Sequence, residues 1–168
     1  MLMLLLAATV ALAQTPKPTP DPSLVRIFVQ TDDSGVATEL ASRQQSVKDL
    51  ASALASKKKA LTVVDDEAMA DVTVEILSRG LVVPRMVIGI SPRPGEPAGM
   101  AAPTRTVVLR VRLTLAAEPV EFTNKNKPQE LPDGWKRAAD DIGNQIEKWV
   151  AGRRAEILKR RDGSQSSR

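Results

Sequence analysis

The side chains available for chemistry are few in this chain, because it contains no His, no Cys and no Tyr. Histidine is the only side chain whose unperturbed pKa lies near neutrality, and cysteine is a strong nucleophile and a soft metal ligand. Their absence excludes Ser-His-Asp triads, Cys-His pairs, His or Cys zinc sites and CxxC redox pairs. Carboxylates, Lys, Arg and hydroxyl groups remain.

The densest group of carboxylates consists of Asp65, Asp66, Glu67 and Asp71. Oxygen ligands suit calcium or magnesium, but the spacing of an EF-hand loop is absent. Capping explains these residues more simply: Asp65 is expected to be the N-cap of a single helical turn, with acids at the positive end of that turn. The sequence therefore predicts no metal site.

The other combinations of reactive side chains do not indicate catalysis either. Ser46 with Lys48, and Ser56 with Lys57, lie one or two residues apart on a predicted helix, where side chains do not face each other. A carboxylate pair for glycoside hydrolysis would need a cleft with aromatic side chains, and the chain has two Trp and two Phe. No glycine-rich phosphate loop is present. We expect a protein that is not an enzyme and has no cofactor.

The long connection 80–105 is the most suggestive segment. An apolar stretch is followed there by a Pro- and Gly-rich arm, and connections of more than about 15 residues are usually functional or disordered. If the stretch is exposed, it is a docking surface for a partner. If it forms an added strand or hairpin, it belongs to the core. The candidate partner-binding residues are Val83, Arg85, Met86, Ile88, Ile90 and Arg93.

A second candidate site is the basic end of the chain. The last sixteen residues carry six basic and two acidic side chains, so their net charge of +4 equals that of the whole chain. Such an end can contact anionic lipid, cell-wall polymer or nucleic acid. The alternative is a solvated helix end, where Lys and Arg favour the C-terminal dipole. The candidate residues are Arg153, Arg154, Lys159, Arg160 and Arg161.

Arg110 and Arg112 offer a third basic surface, on the polar side of a predicted strand. Single-stranded nucleic acid is bound by aromatic side chains on which its bases stack, and the sequence has no such side chains beside these arginines. A nucleic-acid partner is therefore disfavoured, and a solvated sheet face is the simpler interpretation.

The beginning of the chain predicts export. Residues 1–13 are an apolar run that closes on Ala11, Leu12 and Ala13, a small-x-small pattern that suits signal peptidase, although no basic residue precedes it. A transmembrane helix needs about 20 apolar residues, so no membrane span is expected after cleavage. Residues 14–23 form a Pro-rich leader. The mature protein is expected in the periplasm or outside the cell, with no disulfide to stabilise it.

Apolar periodicity predicts the elements of the folded region. Alternation indicates strands at 25–29, 61–64, 71–77, 106–115 and 118–123. Helical spacing indicates a helix that ends near Lys59 and begins at a loose capping box of Ser46 and Asp49, or earlier near Thr38. A long helix from about 134 to 161 carries one apolar stripe that includes both tryptophans, Trp135 and Trp149.

This order predicts an α/β (α+β) fold in two layers: a mixed or antiparallel sheet of four to five strands with two main helices on one face. Residues 24–161 are expected to form one domain, and 162–168 a disordered tail.

The run 46–75 has a layout known from exported bacterial proteins. A helix with Leu54 and Lys57 leads to the strand 61–64 and then to Ala70 and Asp71, which open the next strand. This layout resembles the small α/β module of the amino-terminal domain of the Tol-system propeller protein and of curli-type outer-membrane secretion proteins. The glycine usual after the acidic residue of that strand is absent, since Leu77 and Ser78 stand there. The resemblance implies protein contacts in envelope assembly and transfers no active site.

These observations predict an exported, non-enzymatic module that binds another cell-envelope protein through the 80–105 connection. The alternative is a binder of anionic polymer or lipid headgroups through the basic end of the last helix.

Overall fold

A computed structural model describes residues 21–32, 36–82, 106–125 and 133–165 of the chain. The predicted signal peptide and most of the 80–105 connection lie outside these residues. The elements are β1 (Val25–Thr31), α1 (Ala37–Ala55), β2 (Leu61–Val63), a 3₁₀ turn (Glu67–Met69), β3 (Val72–Val82), β4 (Thr106–Leu115), β5 (Glu118–Thr123) and α2 (Gly134–Gln165).

The strands form one five-stranded mixed sheet in the order β2-β1-β3-β4-β5. β1 is parallel to both of its neighbours, whereas β3, β4 and β5 pair antiparallel. α1 connects the parallel strands β1 and β2, and α2 packs beside it over the same face. The predicted two-layer α+β class is confirmed, and the sheet is mixed.

The core lies between the helices and one face of the sheet. Alternate residues of β1, β3 and β4 are buried, beginning with Val25, Val72 and Val107. The predicted stripe of α2 supplies Ile142, Ile146 and other residues on the opposite side. Because apolar burial contributes about 25 cal/mol per Å², this shared interface is the main stabilising contact of a domain without disulfides.

Small residues set the distance between the two helices. A Cβ on Gly143 of α2 would lie 3.4 Å from the Cβ of Ala53 of α1, which is ordinary van der Waals contact. At the same crossing, Lys57 lies 3.6 Å from Glu147 and donates a hydrogen bond to Asn144. The two helices therefore pack closely at their apolar side and pair their charges at the rim.

The structure corrects two predicted helix caps. α1 begins at Ala37, so Ser46 lies inside the helix and is buried, where it cannot form the predicted capping box with Asp49. The 3₁₀ turn is capped by Asp66, whose Oδ1 accepts a hydrogen bond from the Ala68 amide at 2.9 Å, and not by Asp65. The observed start of α1 at Ala37 lies one residue from the alternative start near Thr38, so that alternative is the correct one.

β3 and α2 are longer than predicted. β3 continues past Leu77 to Val82 because a bulge between Ile76 and Ser78 restores its pairing with β4. This extension moves the start of the connection to residue 83. α2 continues past Arg161 to Gln165, into the segment that the sequence analysis assigned to the tail. Neither described helix is long and apolar enough to span a membrane.

Candidate functional site

Asp71, at the start of β3, is the centre of a buried ionic cluster. Its carboxylate lies 3.0 Å from Nη2 of Arg26 on β1 and 3.3 Å from Nη1 of Arg161 on α2. Its Oδ2 also accepts a hydrogen bond from the Arg26 backbone N–H at 2.8 Å. Only 4% of the Asp71 side chain is exposed, and the side chains of Arg26 and Arg161 are 18% and 10% exposed, so the cluster joins three elements at a largely buried position.

The same end of α2 also holds the residues before β1. Arg161 donates hydrogen bonds to the carbonyl oxygens of Leu24 and Pro22. Arg154, two helical turns earlier, donates to the Ser23 carbonyl from Nε at 3.2 Å and from Nη2 at 2.6 Å. Residues 22–24, which lead into β1, are therefore held beside the C-terminal part of α2.

A cleft of about 410 Å³ opens beside this cluster, and we call it the Asp71 cleft. It is bounded by the 3₁₀ turn, the end of β4 and the last turns of α2. The residues that line it are Arg26, Ala68, Met69, Ala70, Asp71, Leu115, Ala116, Ile157, Arg160 and Arg161.

The turn between β4 and β5 forms one rim of the Asp71 cleft. Leu115 pairs with Glu118, so the turn consists of Ala116 and Ala117, and both have positive φ (47° and 71°). Two-residue hairpin turns need this geometry, which Asn and Gly adopt more readily than Ala. Each Ala costs roughly 1 kcal/mol there, and the small side chain of Ala116 leaves the rim open.

The sheet face opposite the helices carries a ladder of alternating charges across β3, β4 and β5. Arg112 lies 3.4 Å from both Glu75 and Glu121, and Arg110 lies 2.9 Å from Glu121. The hydrogen bonds from Arg110 and then Arg112 lower the pKa of Glu121. The polar face predicted for β4 is confirmed, and its two arginines are paired across strands.

We expect Arg110→Gln to raise the pKa of Glu121 toward its ordinary value, because the hydrogen bond from Arg110 is the largest cause of its depression. Arg112→Gln should raise that pKa less. Carboxyl NMR titration measures the change directly. A group with a depressed folded-state pKa stabilises the fold above its unfolded-state pKa, and this contribution disappears as the pH falls through the folded-state pKa.

Lys148→Gln is the matched control for that titration, since it removes one positive charge from an exposed position on α2. It should leave the pKa of Glu121 unchanged. Equal changes in the control and in Arg110→Gln would show that net charge, not the hydrogen bond, sets this pKa.

A second polar cluster lies at the other end of the sheet, on the helix side of β3. The guanidinium of Arg79 lies 4.1 Å from the centroid of the Trp135 ring and donates to the Ser42 carbonyl at 2.7 Å. It also donates to Ser46 Oγ at 3.3 Å. Burial lowers the pKa of Arg79, and nearby Asp49 opposes this shift. Leu81 and Val82, the next residues toward the connection, are 42% and 53% exposed.

The two sets of predicted site residues differ in what the structure says about them. The candidate partner-binding residues, Val83 to Arg93, lie outside the described residues. In the basic set, Arg154 contacts Ser23, and Arg161 contacts Pro22 and Leu24. Arg160 lies 2.8 Å from Glu156, and Arg153 lies 4.0 Å from Glu118 and 5.0 Å from the Trp149 ring. Lys159 is exposed.

The acidic group examined for metal binding is not gathered into a site. Asp65, Asp66 and Glu67 are exposed around the 3₁₀ turn, whereas Asp71 is paired with two arginines. Among the described residues, no group of three or more carboxylates could hold a metal ion.

Sequence reasoning missed the Asp71 cleft. Arg26 and Asp71 are 45 positions apart, and Arg161 is 90 positions from Asp71, so no local spacing connects them. The sequence contained one signal for it: an Arg in the first strand and an Asp just before the central strand are opposite charges that could form a long-range ion pair.

Comparison with known proteins gives no family. No family model matches the sequence, and no curated protein matches it. Among solved structures, a minor lipoprotein from Acinetobacter baumannii is 12% identical with a TM-score of 0.37, over 76% of this chain and 94% of that one. An uncharacterised lipoprotein B from Nitrosomonas europaea is 16% identical with a TM-score of 0.40, over 88% and 97%. A third, uncharacterised protein is 11% identical with a TM-score of 0.35, over 79% and 92%. These similarities assign neither a family nor a function, and the resemblance to Tol and curli modules stays an interpretation of the sequence.

Proposed function

We propose that this chain is an exported, non-enzymatic module that binds another cell-envelope protein at the end of the β3–β4 ladder, where the connection 83–105 leaves the sheet. One observation carries the proposal: Leu81 and Val82 are the large apolar side chains left 42% and 53% exposed at that end. Exposed apolar side chains beside a functional loop are typical of protein contact surfaces.

The register of the sheet strengthens this assignment. Val82 pairs with Thr106, so the connection leaves and re-enters the sheet at neighbouring positions of two long strands. Both strands are anchored in the core by residues such as Val74 and Val111, which are fully buried. A loop whose two ends continue into such paired and buried strands can present its residues to a partner at a defined place.

A nearby aromatic–arginine pair fits the same role. Trp and Arg are enriched among the residues that dominate binding energy at protein interfaces. Trp135 and Arg79 are stacked and half-buried, two residues along β3 from Leu81. Because residues two positions apart in a strand share a face, the pair lies on the same face of β3 as Leu81, whereas Val82 points to the other face.

Charge pairing supports a protein partner over an anionic polymer. Four of the five basic candidates at the end of α2 contact carboxylates or carbonyl oxygens within the domain. A polymer that lies along the whole basic end would have to compete with all four of these contacts at once. The carboxylates Asp71, Glu75 and Glu121 are likewise paired with arginines, which gives them structural roles.

The test is site-specific photocrosslinking in the envelope of the producing cell, with a photoreactive residue at position 81 or 82 and, as control, at exposed position 148. A single crosslinked protein should appear at 81 and 82 and be absent at 148. Affinity of the purified pair should fall about tenfold or more in Leu81→Ser/Val82→Ser, because each buried apolar side chain contributes about 1.5–3 kcal/mol. It should also disappear when 83–101 is replaced by a Gly-Ser linker.

Salt separates this proposal from its alternative. Docking through apolar residues should persist between low and moderate salt, whereas binding of an anionic polymer should weaken steeply. Association that is salt-sensitive, unaffected at 81 and 82, and abolished by Arg153→Gln/Lys159→Gln/Arg160→Gln would overturn the proposal in favour of polymer binding. These three positions are exposed, so the buried Ile157 and the largely buried Arg161 stay in place.

A further inference from the structure

The Asp71 cleft has the size and position of a small-molecule site. Its volume of about 410 Å³ lies within the range of roughly 300–1,000 Å³ that is typical of ligand pockets. It opens where three elements meet, at the start of β3, the end of β4 and the last turns of α2. It lies at the opposite end of β3 from Val82, so it is separate from the proposed protein-binding end.

The charge of the cleft favours an anion. Arg26, Arg160 and Arg161 line it, against one carboxylate, Asp71. That carboxylate already accepts four hydrogen bonds, three from guanidinium groups and one from the Arg26 backbone N–H. A ligand therefore meets an excess of donors over acceptors.

Some of those donors are still available. A guanidinium has five N–H groups. Within the described part of the chain, Arg26 uses Nε and Nη2 on Asp71, and its Nη1 donates no hydrogen bond. Among the described residues, Arg160 donates from Nη2 alone, to Glu156. Guanidinium groups match the two oxygens of a carboxylate or phosphate, and Arg26 is held in place with 18% of its side chain exposed.

The rest of the lining is apolar. Leu115 and Ile157 form a buried wall, with 3% and 1% exposure, and Met69 is 44% exposed at the opening. Ala68 and Ala116 contribute small side chains that leave space. A site with guanidinium donors on one side and aliphatic carbons on the other recognises an oxyanion attached to an apolar body.

We propose that the Asp71 cleft binds a small soluble oxyanion, a carboxylate or a phosphate monoester, that carries a short apolar chain. The guanidinium groups of Arg26 and Arg160 hold the oxyanion, and Met69, Leu115 and Ile157 contact the chain. The proposal does not depend on the protein-binding function, since it uses the other end of the sheet.

The probes are octanoate and octyl phosphate below their micelle concentrations, with acetate, inorganic phosphate and 1-octanol as partial mimics. Titrations followed by amide NMR should show saturable shifts at Met69, Ala116 and Ile157 with the two amphiphilic anions. The partial mimics should bind at least about tenfold more weakly, because each lacks one of the two interactions.

Two surface variants test the two halves of the site. Arg160→Gln should weaken binding about fivefold to tenfold, whereas Lys159→Gln, the neighbouring loss of one positive charge outside the cleft, should change it less than twofold. Met69→Gln should weaken octyl phosphate several-fold and leave inorganic phosphate unchanged. Both changes are at exposed positions, so the fold persists in each.

Three results would overturn the proposal. One is the absence of saturable shifts with either amphiphilic anion. The second is an equal loss in Arg160→Gln and Lys159→Gln, which would indicate attraction to the basic end as a whole. The third is binding only to vesicles that contain phosphatidic acid, which would indicate a membrane surface as the ligand in place of a soluble molecule.

Discussion

We expect Asp71→Ala to lower the free energy of unfolding by about 3–5 kcal/mol, the range found when one partner of a buried ion pair is removed. The side chains of Arg26 and Arg161 are only 18% and 10% exposed, so the substitution leaves two guanidinium groups close together without their carboxylate. It also removes the acceptor of the Arg26 backbone N–H. Urea denaturation followed by circular dichroism measures the loss.

Matched variants separate the ionic effect from the loss of a side chain. Asp71→Asn keeps an oxygen that can accept the backbone hydrogen bond but removes the charge, so its loss should be smaller. Asp140→Ala, at an exposed position of α2, should change stability by less than about 0.5 kcal/mol. A loss below about 1 kcal/mol in Asp71→Ala would mean that the cluster is not a stabilising junction between β1, β3 and α2.

The second large effect is expected in the core. Ile146 is fully buried between α2 and the sheet, and Ile146→Ala should cost about 2–5 kcal/mol through lost burial and the cavity left behind. Ile146→Val removes one methylene and should cost about 0.5–1.5 kcal/mol. Thermal and urea unfolding of the series measure both.

The helix itself provides the control for this series. Lys148→Ala changes an exposed residue two positions away and should be nearly neutral. A small loss in Ile146→Ala, comparable to that control, would show that α2 is not packed on the sheet as described. Because no disulfide supports the domain, the core contacts of α2 have a large share in its stability.

The periodic elements were predictable because their signal is local. Alternation in β4 predicted that every second residue from Val107 to Leu115 lies on one buried face. The apolar stripe of α2 predicted that Ile142 and Ile146 face the sheet. The boundaries were less predictable. β3 passes through Ser78, Arg79 and Gly80, which interrupt the apolar pattern, and only pairing with β4 across a bulge makes this part a strand.

For the candidate sites, too, local features were predictable and long-range contacts were not. The basic residues at the end of α2 were visible as a charge run, but their partners were not. Arg154 contacts Ser23 and Arg161 contacts Leu24, in each case across more than 130 positions, and Arg161 also contacts Asp71. Four of the five basic residues named there contact carboxylates or carbonyl oxygens within the described part of the chain.

Composition and local periodicity were enough to exclude His- and Cys-based chemistry and to predict most core residues of the described strands and helices. The lack of His, Cys and Tyr is a property of composition, and strand and helix periods depend on neighbours within a few positions. Only the folded arrangement shows that Asp71 is buried between two arginines and that a cleft opens beside it. It also shows that Arg110 and Arg112, on the sheet face opposite the helices, are paired with carboxylates. These features depend on side chains far apart in the chain, and strand order and helix docking bring them together.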